Sequence, residues 1–274
     1  MAWRPHPIVC LIFVPVLFTL GCKPSARHRP RARTPEPIGT SESHTRTSPP
    51  TVSTESNTPT TKAMAPSEFT FNAPGHLQPD TGDGDADSTI YAPGIRFPIE
   101  TPNAFANSQV YGHGGEHGAA GGQCDSANYV YPWSDNFCEK RDRTTPLCPS
   151  GKGHQGQDIR PNSCVRGKYI AVAAESGTIT QIGSYTVSLT GDSGRTFRYL
   201  HLDMNNLKIR LGDTVTRGQS IGYVSNDFGG TTTTIHLHFE IRESVTDGTT
   251  TMTTFVPPYS SLVDAYQRLL AGEE

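Results

Sequence analysis

The chain has 274 residues, of which 34% are hydrophobic and 18% are charged, and its formal net charge is −3. The hydrophobic fraction is below the roughly 45% expected of a compact soluble domain, so we expect part of the chain to contribute nothing to a core. No apolar run approaches the roughly 20 residues that a membrane-spanning helix needs. The near-neutral charge also argues against a nucleic-acid-binding protein. The length allows one large domain or two small ones.

Residues 1–22 have the layout of a secretory signal peptide. A basic start at Arg4 is followed by an apolar run from Ile8 to Leu20, and the segment closes with a Gly-Cys pair at Cys22. Such a run is too short to cross a membrane but suits an export signal. The Gly-Cys pair resembles the end of a bacterial lipoprotein signal, which implies a lipid anchor on Cys22. The alternative is an ordinary cleaved signal followed by a free thiol. Either reading predicts an exported protein of the bacterial cell envelope, in the periplasm or on the outer membrane.

About half of residues 23–66 are Ser, Thr or Pro, and few are large and apolar. Such a segment buries too little apolar surface to offset its conformational entropy, so we predict a disordered tether. Its basic patch, Arg27 to Arg33, is interpreted as solvated, with contact to anionic lipid as the alternative. From residue 67 onward the composition becomes globular and acidic.

Four cysteines lie in the exported part: Cys124, Cys138, Cys148 and Cys164. An even number in an oxidising compartment predicts two disulfides. A zinc site with four cysteine ligands is the alternative, but no two of them have the close spacing that zinc ribbons use. We expect sequential pairing, Cys124 with Cys138 and Cys148 with Cys164, because it closes the shortest loops, while the other connectivities stay open.

The C-terminal half predicts antiparallel β-structure. Apolar or alternating runs are separated by short turns that contain glycine, which is typical of β-hairpins. One short helix is expected after Pro257-Pro258, with Ser260 or Ser261 as its N-cap. The predicted strands are Tyr169 to Ala174, Gly177 to Ile182, Thr186 to Leu189, Arg195 to Leu202, Gln219 to Val224 and Ile235 to Arg242.

The last of these strands carries the strongest chemical signal. Alternation places His236, His238 and Glu240 on one face and apolar residues on the other. Two imidazoles on one face lie about 6 to 7 Å apart, so one can bind a metal while the other adjoins a metal-bound water. The alternative is a pair of exposed histidines on a half-solvated strand.

A second signal lies in the glycine-flanked segment 153–158, which favours a tight loop. It supplies His154 and Asp158, four positions apart. Hydrolytic zinc sites take three protein ligands and leave one position for water, and His154, Asp158 and His238 give that number. The alternative for this loop is a turn with an Asx-type hydrogen bond. In the next motif, Tyr199 to Leu202, alternation predicts that His201 shares the polar face with Tyr199, as a second base or an oxyanion donor.

Together these motifs resemble the lysostaphin-like, or LytM-type, zinc endopeptidases that cut peptidoglycan peptides. The resemblance covers about residues 150–243 and includes a Gly-Asp-x-Val-x-x-Gly-Gln-x-Ile-Gly stretch. The matching segments, in order, are His154 to Asp158, Tyr199 to Leu202, Gly212 to Gly222, and His236 to Glu240.

The resemblance implies one Zn²⁺ ion bound by His154, Asp158 and His238. It implies that His236 is the general base on the zinc-bound water, and that His201 helps to stabilise the tetrahedral intermediate. The implied fold is mainly β, an antiparallel sheet or sandwich of the duplicated hybrid type with a C-terminal helix. We therefore divide the folded part into a disulfide-containing segment, 67–150, and a metallopeptidase core, 151–274.

The implied substrate is peptidoglycan, with the cleaved bond left open between a glycine bridge and a stem-peptide bond. We expect a monomer with no nucleic-acid partner. Some relatives have lost metal ligands and act as activators of other wall hydrolases, so a non-catalytic envelope protein is the alternative. Two weaker patterns, a helical zinc motif at His113 to His117 and a calcium-like loop at Asp83 to Asp87, are interpreted as turns because their glycines or missing ligands do not suit those sites.

Overall fold

A computed structural model describes residues 68–274. The predicted signal peptide, Cys22 and the predicted tether lie outside these residues. No helix within the described part is long and apolar enough to cross a membrane.

One large antiparallel sheet organises the described part of the chain. Its strand order is β1-β2-β11-β6-β5-β4-β7, and β12 pairs with the far half of β11. Two small sheets pair β3 with β8 and β9 with β10. This is the mainly antiparallel β-fold with one short helix that the sequence predicts. The strands are β1 (Phe105–Ala106), β2 (Gln157–Arg160), β3 (Ile170–Val172), β4 (Gly177–Ile182), β5 (Thr186–Gly191), β6 (Thr196–Leu200), β7 (Thr214–Val215), β8 (Ser220–Tyr223), β9 (Asp227–Phe228), β10 (Thr231–Thr232), β11 (Leu237–Asp247) and β12 (Thr250–Val256).

Alternation along β11 divides core from chemistry, as predicted. Leu237, Phe239 and Ile241 are fully buried in the hydrophobic core. The register places His238 opposite Asp158 of β2 on one side and opposite Leu200 of β6 on the other. Because paired residues share a face, the three project away from the core, toward the same side of the sheet.

Residues before the metal-site loop pack into the same core. Trp133 is fully buried, stacks on Tyr266 at a centroid distance of 4.5 Å, and donates its indole N–H to Ala104 O at 2.8 Å. Phe69 and Phe97 complete this aromatic cluster. Segment 68–150 therefore contributes directly to the core beneath the sheet.

The helix α1 (Tyr259–Ala271) begins earlier than the serine N-cap prediction allows. Pro258 occupies the N-cap position with near-helical backbone angles, since the proline ring holds φ close to helical values. Ser261 therefore lies inside the first turn, where its Oγ accepts a hydrogen bond from Ala92 N–H at 3.0 Å. At the other end Gly272 takes a left-handed φ of +74° and its N–H caps Arg268 O and Leu269 O.

Both disulfides are present, but the sequential pairing is wrong. Cys124 bonds to Cys164 and Cys138 bonds to Cys148. Sequential pairing would minimise the loss of chain entropy, but strand pairing and turns determine which cysteines lie close together in the fold. The chain after Cys138 turns back on itself, and Arg160 near the end of β2 draws in the other loop by donating to Gln123 O at 2.8 Å.

Candidate metal centre

Three side chains from two paired strands and the preceding loop meet on the polar side of the sheet. His154 leads into β2, Asp158 lies within it, and His238 lies opposite on β11. Asp158 Oδ1 is 2.8 Å from His238 Nδ1 and 3.3 Å from His154 Nε2. Within residues 68–274 this is the one group of three or more His, Cys, Asp or Glu residues whose atoms could hold a metal ion. The structure thus brings together the three residues that the sequence selects as ligands.

Each ligand imidazole is oriented by an acceptor behind it. His154 Nδ1 lies 2.9 Å from the carbonyl oxygen of Asn136, and His238 Nε2 lies 2.9 Å from Glu240 Oε1. These ring nitrogens must carry the proton, because a carbonyl or carboxylate oxygen can only accept. His154 Nε2 and His238 Nδ1 therefore turn their lone pairs to the centre, as expected of metal-binding histidines.

This donor set fits a zinc ion. The two inward nitrogens, 2.9 Å apart, adjoin a carboxylate oxygen, and lone pairs this close require a proton or a cation between them. Two imidazoles and one carboxylate are typical of hydrolytic zinc. All three side chains are buried, so solvent screens the charge interactions among them only weakly.

Charge coupling is strong within this group. Burial raises the pKa of Asp158, but the imidazoles of His154 and His236 outweigh burial and hold it well below its usual range. Burial lowers the pKa of His238, but its hydrogen bonds with Asp158 and Glu240 outweigh that effect and raise it to about 9. Burial lowers the pKa of His154. In the metal-free centre at neutral pH, Asp158 is therefore ionised and His238 carries a second proton, on Nδ1, that a bound ion would displace.

Glycine at position 156 is required by close packing behind the ligands. A Cβ there would lie 2.4 Å from Phe239 O and 2.9 Å from His238 Nε2. Any side chain would therefore displace His238 from its acceptor on Glu240. This explains in physical terms the glycine between His154 and Asp158.

Two further histidines adjoin the centre. The rings of His201 and His236 lie 4.7 Å apart, and His236 Nε2 is 3.4 Å from Asp158 Oδ1. His236 Nδ1 donates to Thr234 O at 2.8 Å, and His201 Nδ1 donates to Asp227 O at 2.9 Å. In the neutral rings both Nε2 atoms therefore carry lone pairs. Burial, helped by the neighbouring His236 and His238, holds the pKa of His201 well below its usual range.

His201 lies beside the centre as predicted, but it is not part of the strand, and the polar face predicted for Tyr199 is wrong. Strand β6 ends at Leu200, and His201 has a left-handed φ of +67°. Tyr199, expected beside His201 on the polar face, is fully buried with its hydroxyl accepting from Ala174 N–H at 2.8 Å. Leu200 lines the cleft instead. The left-handed residue breaks the alternation, and this turn is what brings the imidazole to the centre.

Several residues that support the centre had no role in the sequence interpretation. Glu240 was placed on the correct face, and its ion pair with Arg198 fixes the carboxylate that holds His238. Its position two residues after His238 was the available signal. Asn136 acts through its backbone carbonyl, and a backbone carbonyl carries no sequence signal.

The centre lies at the bottom of a cleft of about 350 Å³. One wall is formed by parts of segments 109–117 and 140–143, and the other includes Phe228 and Thr233. Of the weaker motifs, His113 lies in a turn with Nδ1 3.1 Å from Ala120 O, and His117 lines the cleft. Asp87 accepts from Thr89 N–H at 2.8 Å, as expected of a polar turn.

Residues 152–252 match the family model described as peptidase family M23. Among solved structures, the chain is similar to a Ruminococcus gnavus protein whose name designates a glycyl-glycine endopeptidase lytM (22% identity, 62% of this chain and 60% of that chain, TM-score 0.39). It is also similar to the catalytic domain of lysostaphin from Staphylococcus simulans (25% identity, 43% of this chain and 89% of that chain, TM-score 0.30). A third similar structure is a zinc-containing peptidase from Vibrio cholerae (27% identity, 37% of this chain and 31% of that chain, TM-score 0.27).

The chain thus spans 60% of the length of the first of these proteins. No curated protein matches it. Because the three TM-scores are all below 0.5, we base the function on the centre itself and on the family match.

Proposed function

We propose that the protein is a zinc-dependent endopeptidase that hydrolyses peptide cross-links or stem peptides of bacterial peptidoglycan, a proposal supported by the match of residues 152–252 to the model of peptidase family M23. The observation that carries the proposal is the convergence of four oriented imidazoles and Asp158 at the bottom of one cleft. A purely structural role would not require two imidazoles and a carboxylate to direct acceptor atoms at one buried position, because their mutual repulsion destabilises the site unless it holds a proton or a cation.

We assign the ion to His154, Asp158 and His238. When bound, zinc supplies a Lewis acid for the scissile carbonyl and for water. The chain's own residues supply orientation and proton transfer. Asn136 and Glu240 fix the ligand rings, and burial of the centre keeps charge interactions strong.

His236 is assigned as the general base. Its Nδ1–H is engaged by Thr234 O, so Nε2 is free to accept a proton from the attacking water. A base held in hydrogen-bond reach can then return that proton to the leaving amine. Its 3.4 Å distance from Asp158 Oδ1 places it directly beside the ligands.

The tautomer of His201 limits what this side chain can do in the reaction. With Nδ1–H donated to Asp227 O, the neutral ring can only accept at Nε2, so it can orient the attacking water. Donation to an oxyanion, the role implied by the family resemblance, requires the ring to take up a proton first. His201 therefore works as a partner of His236 and not as a permanent oxyanion donor.

Location in the cell envelope is part of the proposal. The two disulfides suit an oxidising compartment, in agreement with the predicted export signal. The lipid anchor at Cys22, the tether and the monomeric state remain predictions.

Two measurements on the purified full chain test the function. Zinc content after dialysis should be close to one ion per chain in the parent and in His236→Ala, and should be lost in His154→Ala. Digestion of purified sacculi with product identification should show peptide-bond cleavage by the parent alone. Retained metal with no cleavage by the parent would instead support the non-catalytic activator, and unchanged products from both variants would show that the site is wrong.

A further inference from the structure

One wall of the cleft carries a concentration of positive charge. Lys140, Arg141 and Arg143 all line the same cavity as the metal-site histidines. The described part of the chain is acidic overall, so three cations within four positions run against its general character. This segment also lies outside residues 152–252, the part matched to the family.

Backbone pairing places this wall directly against the metal centre. Arg143 O accepts from Gly153 N–H at 2.9 Å, so the arginine lies beside the residue that precedes His154. His154 itself pairs with Glu139 through its own N–H at 2.9 Å. The segment that carries Arg143 is therefore paired through its backbone with the segment that carries His154, and Arg143 lines the cleft above it.

The loop is held rigidly. The Cys138–Cys148 disulfide closes it, and Lys140 N–H donates to Thr81 O at 2.7 Å. Fixed side-chain attachment points reduce the entropy lost on binding. The wall therefore has the properties of a preformed recognition surface.

Two of the three cations lack a partner of opposite charge among residues 68–274. Lys140 Nζ contacts only the carbonyl of Asp80, at 3.3 Å, and the Arg143 guanidinium makes no side-chain hydrogen bond or ion pair with a described residue. Arg141 differs, because it pairs with the buried Glu139 at 3.2 Å.

The nearby acids do not cancel this charge. Asp142 is 90% exposed and is paired with Lys152, and Lys152 is not among the residues that line this cleft. Glu116 is the one acidic side chain besides Asp158 that lines the described cleft. Two cations thus remain available against one exposed carboxylate.

We infer that this wall binds a carboxylate of the substrate, so that the cleaved peptide carries a free carboxyl group near the scissile bond and is not a neutral oligoglycine bridge. The inference rests on the proposed function and selects between its two substrates. Arginine presents a planar fork that matches a carboxylate, whereas a glycine chain offers it only neutral carbonyl oxygens and no negative charge.

The test compares three synthetic peptides with zinc-loaded full-length protein: a stem-peptide cross-link with free carboxylates, its amidated counterpart and an oligoglycine. We expect the free carboxylate to lower KM about tenfold relative to the amidated peptide, and added salt to reduce that preference. Arg143→Gln and Lys140→Gln should each raise KM for the free-carboxylate peptide and so weaken the preference, while Arg143→Lys should retain part of it. Arg210→Gln, an exposed arginine that does not line this cleft, is the matched control and should behave as the parent.

Binding separates this inference from the proposed function. Calorimetry with the inactive His236→Ala protein measures the Kd of the same peptides without turnover. Tighter binding of the free carboxylate, lost in the double variant with Arg143→Gln, supports the wall even if no peptide is hydrolysed. Equal Kd or KM values for the free and amidated peptides would overturn the inference while leaving peptidase activity intact.

Discussion

Glu240 accepts a hydrogen bond from His238 Nε2 at 2.9 Å, although the two residues are only two positions apart on one strand. Strand alternation gives them the same face, and the ion pair with Arg198 on β6 holds the carboxylate against the imidazole. The carboxylate therefore selects the tautomer that turns Nδ1 inward. Strand alternation and a single acidic side chain together set the direction of the inward-facing nitrogen of His238.

Replacing Glu240 should weaken zinc binding. In Glu240→Ala the ring of His238 loses its acceptor, and we expect zinc affinity to fall by about 10- to 100-fold. Competition with a chromogenic chelator measures this directly. Glu243→Ala is the matched control, because Glu243 lies on the same strand and pairs with Arg195 away from the centre. Equal loss in both variants would show that strand stability, not ligand orientation, is responsible.

Zinc affinity should rise with pH. The pKa of His238 is raised to about 9 in the metal-free protein, so below that pH the ion must displace a proton from the ring. The apparent affinity is then expected to fall about tenfold for each pH unit below 9. Dissociation constants between pH 6.5 and 8.5 provide the measurement. A flat profile in this range would contradict the protonated state described for the metal-free centre.

Much of the centre could be predicted from sequence because it depends on local geometry. Period-two alternation placed Leu237 in the core and His238 with Glu240 on the other face, and these positions are confirmed. The three ligand candidates lie in short motifs, and residues this close in the sequence remain close together in the fold. The structure brings one candidate ligand atom of each to within 4.8 Å of the others.

The errors arose where a single residue or a long-range contact decides the result. One left-handed residue, His201, reversed the expected environment of Tyr199, and no composition rule predicts such a break. Disulfide pairing depended on which loops the sheet brings together. Helix α1 began at Tyr259 because proline can occupy the cap position, which made the predicted serine caps unnecessary.

A residue outside segment 152–252 should influence His236, the proposed general base. Gln109 Oε1 accepts from Thr234 Oγ1 at 2.8 Å, and that hydroxyl is 3.1 Å from His236 Nδ1. We expect Gln109→Ala to lower kcat about 3- to 10-fold, the value of one neutral hydrogen bond, with zinc content unchanged. Steady-state kinetics with metal analysis checks this. Gln181→Ala, an exposed glutamine on β4 that does not line the cleft, should leave kcat unaltered, and a matching loss there would refute the relay.

The two disulfides should differ in their contribution to stability. The two cysteines of Cys124–Cys164 are 40 positions apart in the sequence, and those of Cys138–Cys148 are 10 positions apart. Loop-closure entropy predicts that removing Cys124–Cys164 lowers the free energy of unfolding by about 4 kcal/mol, and that removing Cys138–Cys148 lowers it by about 3 kcal/mol. Paired Cys→Ser variants compared by denaturant unfolding measure both values. Removal of Cys138–Cys148 should also raise KM for carboxylate peptides, because it frees the wall that carries Lys140 and Arg143. A larger stability loss for the shorter loop would show that native contacts, not chain entropy, dominate the effect.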